Sequence, residues 1–233
     1  MEDIIKAFAA VSCEDKTDEI KVQDEPVKTT VVSETNEIKK FEPTEIVSET
    51  NETDRKCLLN LENLDELIID DFVHKDLFVK VCDVYIDTNT KRKTSIEFVP
   101  TIPKELWEKH SEWVYIFTCD KNIVKIGGTR TGLKNRTQSY LCGRPEFRKK
   151  GTCSTTNYII YKSFNTLLSL GHSIEMWACS LKEYMIDVEN FGMTLQVPVQ
   201  TYHVFEAKML ELYKNQKGHF PVLSSNADRR FMT

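Results

Sequence analysis

Residues 113–140 read WVYIFTCDKNIVKIGGTRTGLKNRTQSY, and the rest of the chain is organised around them. Trp113 to Thr118 is a β-branched and aromatic run, Asp120, Lys121 and Asn122 are turn formers, and Ile123 to Ile126 alternates again. That pattern predicts a two-stranded hairpin. Gly127 and Gly128 are expected to stop the second strand and to let backbone N–H groups come close to an anion. The following residues, 131–140, predict a short, positively charged helix.

Charge is distributed unevenly along the 233 residues. The formal net charge is −5, yet residues 1–56 hold 15 acidic and 8 basic side chains, so the remainder is net +2. Between Lys121 and Lys162 there are ten Lys or Arg and a single acid, Glu146. A merely solvated basic face is normally interleaved with acids, so this stretch points to a polyanion such as nucleic acid. Arg130, Lys134, Arg144, Arg148, Lys149 and Lys150 are the candidate backbone-phosphate contacts, with ordinary surface charge as the alternative.

Seven scattered cysteines with no CxxC pair and no preceding signal peptide read as free thiols in a reducing, intracellular compartment. Cys142 and Cys153 have no close histidine pair to complete a zinc site. No apolar run is long enough to span a bilayer, which makes the Asn51-Glu52-Thr53 sequon a chance match.

The order Val114-Tyr115-Ile116, Lys125-Ile126-Gly127, Arg136, Tyr140 resembles the core of a GIY-YIG nuclease and is most similar to the restriction-endonuclease branch of that superfamily. Lys125 follows Tyr115 by ten residues and Arg136 follows Lys125 by eleven, which suits a hairpin and one helix. Trp113 and Lys125 stand where the name-giving motifs have glycine and a second tyrosine; some restriction-type members also place lysine there. The resemblance spans about residues 113 to 226.

Three regions are expected. Residues 1–56, poor in aromatics and echoing VVSETNE as IVSETNE, predict a disordered acidic tail that could also fold back on a basic cleft. Residues 57–110 predict an accessory helix over 58–72, a hairpin of Phe78–Ile86 with Ser95–Val99 ended by Pro100 and Pro103, and a short helix from Lys104. Residues 111–233 would form the GIY-YIG-like domain, an α+β fold with a small antiparallel β-sheet flanked by helices. Within it the pattern predicts a basic loop over 141–153 and a helix capped in Ser154–Asn157 and stopped at Gly171. A strand over 174–181, a second hairpin at Phe191-Gly192 and a helix over 201–216 follow.

Cutting a phosphodiester needs an activated water, neutralised phosphoryl oxygens and help for the departing oxygen. The resemblance implies Tyr115 beside the attacking water, as base or orienting group, with Lys125 supplying the positive charge that a phenol near pKa ~10 requires. It implies Arg136 bridging phosphate oxygens, Tyr140 one helical turn on, and Glu206 as ligand for one Mg2+ (or Mn2+) per active site. Glu211 is the rival carboxylate, His203 could join the site, and Asn226 could buttress it. The expected activity is metal-dependent DNA endonuclease, leaving 5′-phosphate and 3′-hydroxyl ends, with DNA as partner and a possible homo-oligomer. Two other classes stay open: a catalytically inactive nucleic-acid-binding module in which Trp113 distorts the first motif, and a protein-interaction factor with no polyanion partner.

Overall fold

The computed structural model describes residues 65–88 and 95–224. The expected acidic tail and Asn226 lie outside the described residues. Five strands form one antiparallel sheet: β1 (Val79–Ile86), β2 (Ile96–Pro100), β3 (Trp113–Cys119), β4 (Asn122–Thr129) and β5 (Ile174–Ser180), in the order β2-β1-β5-β3-β4. The expected accessory hairpin β1–β2 thus belongs to the same sheet, joined through β5. With helices flanking it, five among the described residues, the fold is α+β, as the pattern predicts.

The β3–β4 hairpin owes its shape to its turn. Cys119 faces Asn122, leaving Asp120 and Lys121 at φ 47° and 69°, the left-handed pair whose twist matches that of the flanking strands. The Asp120 carboxylate accepts from the amide and hydroxyl of Ser173 and meets His172 Nδ1 at 2.6 Å, which pins the turn to the start of β5. β4 does not stop at its glycines. It runs on to Thr129, because Gly127 and Gly128 still pair with Tyr115 and Val114.

The helices are α1 (Lys104–Trp107), α2 (Leu133–Leu141), α3 (Pro145–Lys149), α4 (Thr155–Ser169) and α5 (Tyr202–Lys217). Ser154 caps α4 by accepting from the Asn157 amide at 3.2 Å, so the expected cap falls on the first of the four candidates. The expected basic loop is partly helical, since Pro145 at the first position of α3 has its φ already fixed. A second hairpin, β6 (Tyr184–Asn190) and β7 (Met193–Val199), forms a separate two-stranded sheet.

β3 is buried along its whole length, and its two faces meet different partners. Val114 and Ile116 join Ile123, Ile126, Leu210 and Tyr213 under α5. On the other face Phe117 is ringed by Tyr115, Tyr140, Phe164 and Phe98, with centroids 4.9 to 6.3 Å away. Edge-on aromatic pairs of this kind add about 1 kcal/mol each beyond the area they bury.

Leucine and isoleucine spacing predicts a helix over 58–72; residues 58–64 lie outside the described residues, and over 65–72 only Ile69–Asp71 is helical, as a single 3-10 turn. Ile68 bridges Asn122, Ile123 N donates to Leu67 O, and Ile69 N donates to Lys121 O. The outer edge of β4 offers backbone partners that outweigh a helix periodicity this short.

Candidate active site

Two consecutive glycines set the site. Successive residues on a strand point to opposite faces, and each glycine makes room for one functional side chain. A Cβ on Gly127 would lie 2.5 Å from the Tyr115 hydroxyl; one on Gly128 would lie 2.7 Å from Tyr202 Cδ2 and 2.9 Å from Glu206 Oε2. Tyr115 and Glu206 therefore approach β4 from opposite faces. The Gly128 N–H donates to the Glu206 carboxylate, the backbone-to-anion contact expected of this pair, although the anion is the protein's own.

Arg136 is held by tyrosines. Its Nε donates to the Tyr115 hydroxyl at 2.7 Å, that hydroxyl lies 2.6 Å from the Tyr140 hydroxyl, and the guanidinium sits 4.5 Å from the Tyr140 ring centroid. Arg136 and Tyr140 project from one face of α2, one turn apart, as their spacing predicts. Both phenols are fully buried, and burial pushes the Tyr115 and Tyr140 hydroxyls up from the ordinary tyrosine value. The sequence reading of Tyr115 and Lys125 therefore changes: the cation against Tyr115 is Arg136, and the phenol is a weaker acid than free tyrosine.

Lys125 is 6% exposed and donates to the main-chain carbonyl of Leu223 at 3.2 Å. Desolvation pulls its ammonium down to about 8, against the opposing attraction of Glu206. Glu206, half-buried on α5, has its carboxyl raised by desolvation while Lys125 and Arg136 oppose that rise. These three side chains line one hollow of about 320 Å³ at the outer edge of β4. Ser154, Thr156 and Asn157 from the start of α4, and Leu223 and Ser224 after α5, complete its wall.

Several contributors were invisible to motif reasoning. Ser154, Thr156 and Asn157 read only as cap candidates. Asn157 Nδ2 also donates to Ser139 O, tying the mouth of α4 to α2. Glu112 caps α5: its Oε2 accepts from the Thr201 amide and hydroxyl at 2.8 and 3.0 Å and from the Tyr202 amide at 3.2 Å, one turn before Glu206. A carboxylate some 90 residues upstream of a helix carries no local capping signal.

The remaining candidates scatter around this centre. His203 stacks edge-on to Tyr202 at 5.2 Å and lowers the Glu206 carboxyl electrostatically. Glu211 faces elsewhere and pairs with Lys208 at 2.9 Å. Lys134 pairs with Glu108 at 2.8 Å, Arg130 donates to Gln200 at 3.3 Å, and Arg144 stacks over Phe147 at 4.7 Å. Arg148 donates to Cys153 O, while Lys149 and Lys150 are exposed at the end of α3. Trp113 is fully buried in register between Thr129 and Ser180, and it is not part of the hollow's wall.

A metal site is also conceivable at Cys119, Asp120 and His172, whose ligand atoms lie within 4.8 Å of one another. Burial pushes the Cys119 thiol up to about 12, which opposes the thiolate a metal needs, and Asp120 is occupied in pinning the turn. The single carboxylate of Glu206 shares its hollow with the side chains of Ser154, Thr156, Asn157 and Ser224 and with the cations Lys125 and Arg136.

Two of the solved structures to which the chain is similar are nucleases. One is the restriction endonuclease HPY188I in complex with product DNA, at 30% identity and a TM-score of 0.47, covering 72% of this chain and 91% of that one. The other is a mutant of bacteriophage T4 EndoII, at 19% identity and a TM-score of 0.44, covering 64% of this chain and 96% of that one. No protein-family model matches the chain, and no curated protein does.

Proposed function

We propose that this protein is a metal-dependent endonuclease of the GIY-YIG type that hydrolyses DNA phosphodiester bonds. The observation that carries the reading is the meeting of Lys125, Arg136 and Glu206, from a strand and two helices, in one phosphate-sized hollow. Arg136 gives that hollow a permanent positive charge for a phosphodiester, and Lys125 adds a second only while it holds its proton. Arg136, fixed by Tyr115 and Tyr140 before substrate arrives, offers its outer N–H groups to the phosphoryl oxygens, and a donor already in place loses little entropy on binding.

Lys125, drawn down to about 8 by burial, serves in its neutral form as proton acceptor for the attacking water. Tyr115 then acts through Arg136 as a positioning residue. Glu206, with hydroxyl oxygens nearby, is the residue that would hold Mg2+ or Mn2+, and the ion would supply charge neutralisation at the phosphate and the leaving oxygen. Arg130, Lys149 and Lys150 would track the DNA backbone outside the hollow.

The test is nicking of supercoiled plasmid with Mg2+ or with EDTA. Cleavage by the unaltered protein is expected only with metal, and Arg136→Ala and Glu206→Ala should each reduce it by about 10²-fold or more with the melting curve preserved. Salt-sensitive DNA retention without cleavage, across several metals and DNA structures, would leave a binding module instead.

A further inference from the structure

One buried carboxylate ahead of β1 grips the chain that follows α5. The Glu66 side chain is only 7% exposed. Its Oε1 accepts from the Val222 amide at 3.1 Å, and its Oε2 accepts from the Tyr213 hydroxyl. That hydroxyl in turn accepts from the Leu67 amide at 3.1 Å. Burial pushes the Glu66 carboxyl up from the ordinary glutamate value, and the Tyr213 hydroxyl opposes that rise.

These bonds close a ring. Leu67 O accepts from Ile123 N at 2.8 Å, Val124 O accepts from Leu223 N at 2.9 Å, and Val222 N returns to Glu66. Residues 66–67, 123–124 and 222–223, far apart in the chain, are thereby fixed to one another, and Lys125 is the next residue along β4. Leu223 O, which receives the Lys125 ammonium, follows by one residue the amide that Glu66 holds. Glu66 itself is not part of the hollow's wall.

We propose that Glu66 is a positioning residue for phosphodiester cleavage: by gripping Val222 it holds the Leu223 carbonyl against Lys125 and keeps Leu223 and Ser224 in the wall of the hollow. The proposal rests on the reading of Lys125 as proton acceptor. Glu66 acts through main chain and not through its charge. Beside burial, the groups that act on the Lys125 ammonium are Glu206 and Arg136, and the Val222 amide asks only for an oxygen acceptor. Tyr213 orients the carboxylate from α5, the helix that also carries Glu206.

Two measurements on the full chain test the proposal, and one of them needs no cleavage. Glu66→Leu, similar in volume but without an acceptor, should speed amide hydrogen exchange over residues 219–224 by about 10-fold or more, with exchange over β3 unchanged. In plasmid nicking it should lower kcat by about 10²-fold while KM stays within about twofold. Glu66→Gln keeps an oxygen for Val222, so it should restore slow exchange and most of kcat, a rescue that a general loss of stability would not give. Tyr213→Phe releases one oxygen of Glu66 and should move both readouts the same way by a smaller factor, which keeps the test open if Glu66→Leu does not fold. Unchanged exchange over 219–224 in Glu66→Leu overturns the proposal. So does a kcat that ignores faster exchange there, or a glutamine variant as impaired as the leucine one. An unaltered protein that nicks no plasmid overturns the reading of Lys125 and the catalytic half of the proposal with it, while faster exchange in Glu66→Leu would still support the grip on Val222.

Discussion

The two isolated-looking hairpins of this molecule are built almost alike and end in opposite places. β3–β4 turns on Asp120 and Lys121 at φ 47° and 69°; β6–β7 turns on Phe191 and Gly192 at φ 53° and 71°. Every residue of β3 is buried, and every residue of β6 is exposed. Turn chemistry makes either hairpin, whereas the side chains decide what becomes of it. β3 is apolar on both faces and is sandwiched between α5 and the α2–α4 side. β6–β7 gathers most of its apolar side chains on one face, and that face is exposed.

The comparison can be broken hardest at Gly127. Its Cβ position lies 2.5 Å from the Tyr115 hydroxyl and 2.6 Å from Tyr115 Cζ, so Gly127→Ala must displace the ring that aligns Arg136. Plasmid cleavage should fall by about 10²-fold, and denaturant unfolding should show a loss of about 1–3 kcal/mol for overpacking. Cleavage and stability both unchanged would mean that Tyr115 does not position the guanidinium.

Lys125 gives an opposite effect on stability. Burial lowers its ammonium from 10.5 to about 8, so between those values the unfolded chain binds more protons than the folded one. Stability therefore rises with pH across that window, and below it the full cost of the buried charge is present. Lys125→Met should stabilise the fold by on the order of 2 kcal/mol near pH 7 and abolish that rise, while removing cleavage. In the unaltered protein cleavage should climb with pH through about 8 and then level, in plasmid assays run across that range.

The least effect is expected at the tip of the other hairpin. Phe191 is 89% exposed, and Phe191→Ser should change folding stability by no more than about 0.5 kcal/mol in thermal melts. A larger loss would show that β6–β7 is held by something within the monomer.

What was legible in the sequence follows the same division. Asp120-Lys121, the Ser154 cap and the β-branched and aromatic run of β3 act over a few residues, and they read correctly. Leu67 and Ile68 read as helix because their partners, Ile123 and Asn122, lie more than fifty residues away along the chain. β5 was recognisable as a strand, but its place between β1 and β3 was set by contacts that no local pattern carries. Motif order singled out Arg136, Tyr140 and Glu206; the fold brings Arg136 and Glu206 to one hollow and sets the Arg136 guanidinium against the Tyr140 ring. Glu112 was not singled out, since its partners at Thr201 and Tyr202 are remote, and Leu223 could not be, since it contributes a backbone oxygen.

That carbonyl has a practical side. Leu223 N donates to Val124 O, and the Ser224 hydroxyl both accepts from Ile126 N and donates to Ile126 O, so the strap after α5 is laced to β4 by main-chain atoms and one serine. The lysine's tether is thus made to a main-chain atom at 223 and not to its side chain, and it would be undone by trimming the polypeptide back to the end of α5. An engineer hoping to tune the ammonium would do better to lengthen or shorten the strap than to repaint it.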